Sequence, residues 1–355
     1  MIVYVLVLAS SVSLAVWTQF WTKTDVGLFP RRVNFGAVAV FLILAGVSAL
    51  RWQVGTDYWA YDRNFDTYVA EFETGVGILG EPGIRTMAWL SHAIGAGSAG
   101  MFALAAVITV GLIVRTLWRW SVAFGFSVAV FILAGEWHGS FNGVRQYVAA
   151  AILFAGHRYV IERKFLKWLL VVLVATLFHT SAVVGLLMYA IPRKKLSFPL
   201  QIVIVVLAII ALMGTGQILE FFGSVSEDPQ VWGSDYAMRA VNPLRVAFEC
   251  LPLILFWILP TQNRLVQERD WFYVNMLLII AVTAIAGAGS AYMTRFIIYP
   301  SLFLPLSLGL ITSLENKNER TLIRVGLLLI MAVFMFLEVS GSENLNNFQW
   351  IFDRE

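Results

Sequence analysis

The sequence has little charge. Asp, Glu, Lys and Arg make up 13% of its 355 residues, about half the share of an average soluble domain. A soluble globule of this composition would leave too much apolar surface facing water. Cys250 is its one cysteine, so no internal disulfide can form and a disulfide-stapled scaffold is excluded. The net charge of +3 is too small to indicate a basic surface for nucleic acid. No G-x-x-x-x-G-K-[ST] occurs, and no nucleotide-binding fold is indicated. Neither H-E-x-x-H nor C-x-x-C occurs, so there is no zinc signature, and neither a metal nor a cofactor is expected. Internal repeats, low-complexity tracts and Pro/Gly linkers are missing too, which argues against a disordered chain or a chain of soluble modules.

Apolar sequence fills the space instead. Hydrophobic residues make up 59% of the chain and mean hydropathy is +0.77. Several apolar stretches approach the ~20 residues that cross a bilayer. The chain reads as an all-α polytopic membrane protein, a single transmembrane domain over residues 1–355. The first stretch, Ile2 to Trp21, has no basic n-region and no A-x-A cleavage site, and Lys23 follows it; it reads as a retained helix. Further spans are predicted near 33–50, 100–118, 121–136, 144–161, 165–178, 180–191, 197–217, 244–260, 271–288, 296–313 and 321–338, which makes about twelve. The stretch 165–191 is long for one helix and short for two. Basic clusters on both sides, Arg163 and Lys164 then Arg193 to Lys195, favour an even number of passes.

With the N-terminus outside, all the lysines (Lys23, Lys164, Lys167, Lys194, Lys195, Lys317) fall in cytoplasmic connections, as positive-inside bias requires. The outer side then holds the loops 51–99 and 216–243, the tail 339–355, and short turns near 137–145, 179 and 289–295. Arg51, Arg63, Arg85, Arg145, Arg239, Arg245, Arg295 and Arg354 lie on that side, against the bias. A specific anionic partner is one physical reason to keep arginines there.

Three outer constellations could carry chemistry. In the first, Gly55 and Thr56 form a turn and N-cap leading into a helix. Asp57, Tyr61, Phe65, Tyr68 and Phe72 would share one face of that helix, with Tyr58 beside them. A carboxylate at the head of an aromatic stripe suits a sugar groove, where it could take a hydroxyl proton. An amphipathic helix lying in the interface would show the same stripe. In the second, Gly80-Glu81-Pro82-Gly83 turns into a short amphipathic segment over 84–95. Glu81 could be a second acid, a hydroxyl ligand or an N-terminal helix charge. In the third, Glu136-Trp137-His138 to Asn142-Gly-Val-Arg145-Gln146 sits at the outer mouth between two spans. Arg145 enters the apolar run there. A guanidinium matches phosphate oxygens bidentately, which suits a lipid-linked diphosphate; an ion pair with Glu136 is the structural alternative. His179, in Phe178-His179-Thr180-Ser181, and Arg295 head further spans from the same side. Ionisable residues in such settings point to function.

Taken together, these residues resemble the EpsG family of bacterial exopolysaccharide polymerases, the Wzy-like proteins. The resemblance covers about residues 1–310. It is carried by Arg51…Gly55-Thr56-Asp57-Tyr58…Tyr61, by Glu81-Pro82-Gly83, by Asn142…Arg145-Gln146…Ala149, and by Phe178-His179-Thr180-Ser181 about 30 residues later. Loop 216–243 and the tail, with Asn346-Asn347-Phe348-Gln349-Trp350, are the divergent parts. The resemblance implies an enzyme of the bacterial inner (cytoplasmic) membrane that joins undecaprenyl-diphosphate-linked oligosaccharides at the periplasmic or exterior face. It also implies a fold related to the GT-C glycosyltransferases, with chain-length regulator or export proteins as candidate partners besides the lipid bilayer.

The expected catalytic set is Asp57, His179 and Glu81, with Asp57 as base on the acceptor hydroxyl and His179 as the rival base. Arg145, Arg295 and Arg51 are expected on the departing diphosphate. Tyr58, Tyr61 and Asn142 are expected on sugars, with His138 and Gln146 also among the substrate contacts. A transferase adding a single sugar, or a glycan ligase, would use the same donor. A transporter of lipid-linked sugars would instead show mid-membrane polar residues and structural repeats.

Overall fold

A computed structural model describes residues 1–21, 34–76, 80–225, 234–260, 265 and 267–353. Lys23 and Arg354, both used in the charge map, and the middle of loop 216–243 lie outside the described residues. The described chain is almost wholly helical and forms two compact units, Met1–Tyr189 with Thr312–Glu355, and Ala190–Ile311.

The first unit opens with α1 (Ile2–Trp21) and α2 (Phe35–Ala49). Asn34 caps α2 by accepting the Gly36 N–H at 2.7 Å. A two-residue strand β1 (Arg51–Trp52) leads to α3 (Tyr58–Arg63), α4 (Phe65–Thr74) and α5 (Pro82–Ala93). The long α6 (Gly97–Trp120) follows, then α7 (Phe124–Leu133), α8 (Glu136–Gly139), α9 (Val144–Gly156), α10 (Arg158–Ile161), α11 (Phe165–Thr176) and α12 (Gly185–Met188). Along α6 the buried residues Phe102, Ala105, Thr109 and Ile113 recur every three or four positions, the period of one helix face. That helix packs against α2, α5 and α9. By contrast α9 is apolar nearly all round and is buried over most of its length, which places it at the centre of the unit.

The second unit holds α13 (Phe198–Met213) and α14 (Thr215–Val225), then α15 (Pro243–Ile258), α16 (Glu268–Gly287), α17 (Ile298–Ser301) and α18 (Leu304–Ile311). Asn275 on α16 ties this unit's entry by donating to the carbonyls of Pro192 (2.7 Å) and Lys194 (3.1 Å). The chain then returns to the first unit with α19 (Lys317–Ser340), α20 (Glu343–Asn346) and β2 (Gln349–Trp350). Leu327, Met331, Met335 and Val339 bury one face of α19, while Leu322, Leu329, Val333 and Leu337 stay exposed. A helix with both faces apolar and one unburied is suited to lipid on that side.

Each predicted apolar stretch contains helix. Among the described residues, four helices are long and apolar enough to cross a membrane, and up to six spans result if each of two bent pairs counts once. Four more apolar helices run only 10–17 residues. The stretch 165–191 resolves into α11 and a 3-10 turn at Thr180–Val184 running into α12. The string Gly95-Ala-Gly-Ser-Ala-Gly100 reads G-x-G-x-x-G. Because it follows helix α5 and not a strand, it lacks the strand–turn–helix setting of a dinucleotide site.

The predicted outer segments of the first unit converge on one of its ends. β1 pairs antiparallel with β2, Arg51 opposite Trp350 and Trp52 opposite Gln349. The Gly55 N–H donates to the Asn344 carbonyl (3.1 Å), and the Gly83 N–H to the Leu177 carbonyl (2.8 Å). The N-terminal ammonium donates to the Asn346 carbonyl at 3.4 Å.

Candidate active site

Glu81 organises this end of the unit. It occupies the position before α5, and Pro82 at the first turn needs no N–H partner there. The Gly83 N–H bond to Leu177 draws this turn against the end of α11. A side chain at Gly83 would lie 2.5 Å from the Phe178 ring, so the approach requires glycine. Glu81 is thereby carried next to His179.

The carboxylate of Glu81, 10% exposed, then accepts from three directions. Arg145 Nη1 donates to Oε2 at 2.5 Å. His179 Nδ1 donates to Oε1 at 2.6 Å, and the Thr180 N–H reaches the same oxygen at 2.9 Å. Burial pushes the Glu81 carboxyl up, but the His179 hydrogen bond and the Arg145 charge outweigh it and hold the group at about 2. A carboxyl this acidic stays ionised at neutral pH and is unsuited to proton donation. The sequence leaves Glu81 open as a second acid, a hydroxyl ligand or an N-terminal helix charge; the geometry is that of a fixed anion held against Arg145 and His179.

The neighbours keep free functional atoms. With Nδ1 donating to Glu81, the network assigns His179 Nε2 as the nitrogen that accepts a proton. The histidine side chain is 26% exposed. Arg145 stands at the first turn of α9, 34% exposed. Its Nε donates to the Tyr61 hydroxyl at 3.2 Å, and its guanidinium lies 5.6 Å from the Tyr61 ring centroid. Among the described residues, no hydrogen bond holds Nη2. Arg145 therefore pairs with Glu81 and not with Glu136, whose Oε2 accepts from the Tyr147 hydroxyl at 3.1 Å.

The first constellation borders this cluster. Gly55 has φ +109°, and a Cβ there would lie 2.5 Å from the Phe141 carbonyl oxygen; only glycine suits both. The Thr56 N–H donates to Asn142 Oδ1 at 2.7 Å, and Thr56 Oγ1 to Asp57 Oδ1 at 3.2 Å. Asp57 is half-buried. Burial pushes the Tyr61 phenol up, and the Asp57 charge adds to the same rise, so the two lie within electrostatic reach.

The aromatic stripe is largely core. Tyr58 is 1% exposed and stacks on Phe102 at 4.5 Å. Tyr61, Phe65, Val69, Ile84, Met87 and Phe102 belong to one buried cluster. The Tyr61 hydroxyl reaches the polar centre, and the Tyr68 phenol lies within electrostatic reach of Arg145. Asp62 accepts from Ser98 Oγ. Among the described residues, no three His, Cys, Asp or Glu side chains converge as a metal set.

Other predicted site residues are engaged elsewhere. Arg51, 4% exposed, donates to the Ser48 carbonyl at 2.5 Å and lies between the rings of Phe102 (5.1 Å) and Phe141 (4.9 Å). His138 is buried and its Nε2 is 3.1 Å from Glu338 Oε2 on α19. Gln146 is buried within α9. Arg295 belongs to the second unit, where it donates to the Tyr236 hydroxyl at 3.0 Å. Sequence reasoning missed Thr180, whose backbone and hydroxyl both face Glu81. Its position beside His179, directly after an apolar helix, was the available signal.

The sequence model of the EpsG family matches residues 35–352. Searches of curated proteins and of solved structures find no match.

Proposed function

Since this chain belongs to the EpsG family, whose members are Wzy-like exopolysaccharide polymerases, we propose that it joins undecaprenyl-diphosphate-linked oligosaccharide units by glycosyl transfer at the outer face of the bacterial inner membrane. The topology proposed with it has about twelve crossings, the short apolar helices included, in an arrangement related to the GT-C transferases. Chain-length regulator or export proteins are the proposed protein partners. The observation that carries the catalytic assignment is the bridging of Glu81 to both Arg145 and His179.

In the proposed reaction an acceptor sugar hydroxyl attacks the anomeric carbon of the donor. The new C–O bond forms as the bond from that carbon to the diphosphate breaks. His179 Nε2 takes the hydroxyl proton, and Glu81 stabilises the imidazolium that results. Negative charge gathers on the departing undecaprenyl diphosphate, where Arg145 Nη2 meets it. No nucleotide is required, because the diphosphate is already the leaving group. Asp57, the other base considered, binds acceptor hydroxyls beside Asn142. Arg51 supports this end of the unit from beneath, through the aromatic rings it separates.

The test is extension of purified lipid-diphosphate repeat units in proteoliposomes. Wild type should give a product ladder. Arg145→Ala should lower the rate about 10²- to 10³-fold, and His179→Ala about 10²- to 10⁴-fold. Loss of extension in Asp57→Asn with His179→Ala still active would exchange the two roles. A single added unit from wild type would replace the polymerase with a one-step transferase. Lipid movement between leaflets without extension would leave a transporter.

A further inference from the structure

A second polar site lies at the opposite end of the first unit. Between α6, α9, α10 and α11 is a cavity of about 580 Å³. Arg115, Arg119, Arg158 and Lys167 line it, and no Asp or Glu does among the described residues. Arg115 and Lys167 are exposed and the other two half-buried. Tyr159 is a fixed platform inside this group. The Arg158 guanidinium lies 4.5 Å from its ring centroid, and the Lys167 ammonium 5.8 Å. Four cations converging without a carboxylate repel one another, so an anion is the natural complement.

The cavity is also amphipathic along its length. On α6 the apolar lining residue Leu112 lies a turn or two before Arg119; on α9 Ile152 lies almost two turns before Arg158 in α10. On α11, which runs the other way, Leu170, Val171 and Val174 come after Lys167. All three walls thus set their cations at one end and their apolar residues deeper toward the middle of the unit. The 13 residues of α9 span about 20 Å, which separates this site from Arg145 at the other end of the same helix. An apolar groove lined by Phe41, Gly111, Val114 and Trp118 also adjoins the basic group, because Arg115 lines both.

We propose that this cavity binds a phosphate-headed lipid, with the phosphate among Arg115, Arg119, Arg158 and Lys167 and a hydrocarbon chain against Ile152, Leu170 and Val174. Guanidinium forks match phosphate oxygens, and basic pockets between membrane helices collect anionic headgroups. A glycerophospholipid and a polyprenyl phosphate share this chemistry. The proposal stands apart from the transfer reaction, since it uses no residue of the Glu81 cluster.

Native mass spectrometry of the purified full-length protein tests it. The probes are dioleoylphosphatidylglycerol, undecaprenyl phosphate, dioleoylphosphatidylcholine and inorganic phosphate. One adduct of phosphatidylglycerol or of undecaprenyl phosphate is expected, and the tighter of the two identifies the source. Arg115→Gln with Arg119→Gln should weaken that adduct about tenfold or more. Phosphatidylcholine should bind about tenfold more weakly than the anionic lipid, and inorganic phosphate alone should be weaker still. Ala155→Leu, which fills the apolar part of the cavity, should weaken the lipid adduct while leaving phosphate unaffected, and it keeps every cation for the case that the arginine variant misfolds. Equal binding of phosphatidylcholine, or lipid binding unchanged in both variants, would overturn the proposal. Because glycan extension is measured separately, an inactive polymerase with an intact lipid adduct would sink only the reading of the Glu81 cluster.

Discussion

Glu81 and Arg145 are 64 positions apart and meet at 2.5 Å. The contact occupies Nη1 and the Tyr61 hydroxyl occupies Nε, so Nη2 is the nitrogen of this guanidinium that the proposed reaction assigns to the diphosphate. A lysine could keep the charge but could not serve Glu81, Tyr61 and a phosphate at once, because it lacks the planar fork. Arg145→Lys should therefore lose about 10²-fold in kcat and keep the protein folded. Extension rates at saturating donor, set beside size-exclusion elution, check this. A lysine variant with near-normal kcat would remove the fork from the mechanism.

Acid should loosen the same cluster. Glu81 in the folded chain sits at about 2, below its ordinary 4.5. A depressed carboxyl contributes stability that is present above the unfolded value and is lost as pH falls through the folded one. The window is therefore from about pH 4.5 down to about 2. The contribution is on the order of 3 kcal/mol. Tryptophan fluorescence of detergent-solubilised protein should show wild type destabilised across that window and Glu81→Gln changing less. Parallel curves for the two proteins would deny Glu81 this role.

Tyr61 contributes through one atom. Tyr61→Phe keeps the ring in the core and removes only the hydroxyl that accepts Arg145 Nε. A hydrogen bond to a charged group is worth about 1.5–3 kcal/mol of stability, so Tm should fall modestly and, with Arg145 less firmly placed, kcat/KM should fall roughly tenfold or more. A large drop in Tm with unaltered kinetics would make the hydroxyl purely structural.

Gly83 offers a test with a built-in rescue. Gly83→Ala would place a methyl 2.5 Å from the Phe178 ring, displacing the residue next to His179. Extension should fall about tenfold or more, in line with the cost of overpacking a tight contact. Gly83→Ala combined with Phe178→Leu should regain part of it. Equal activity of the single variant and wild type would mean that the turn yields without moving His179.

Much of this was legible in the chain. Apolar stretches near bilayer length marked where helices form, and ionisable residues at their ends singled out Arg145 and His179. Glu81 stayed ambiguous because its partners lie 64 and 98 positions away, and no local pattern encodes such meetings. Periodicity placed Tyr61 and Phe65 on one face, but a groove and a core have the same spacing; only the packing of α5 and α6 shows which residues are covered. Arg51 and His138 show a related ambiguity. A polar residue at a helix boundary reads as a ligand contact until aromatic rings or a distant glutamate, here Glu338, are found around it.

The pairing of β1 with β2 also sets an order of assembly. Arg51 and Trp52 are made early, yet their strand partners, Gln349 and Trp350, leave the ribosome only after all the intervening helices. Asn344, which receives the Gly55 N–H, is made almost as late. Throughout synthesis of the intervening helices, the loop that carries Asp57 has an open edge. The end of the unit that holds Glu81 is therefore completed only after the second unit has been made, and a chain cut short before β2 lacks the lock that holds its first outer loop in place.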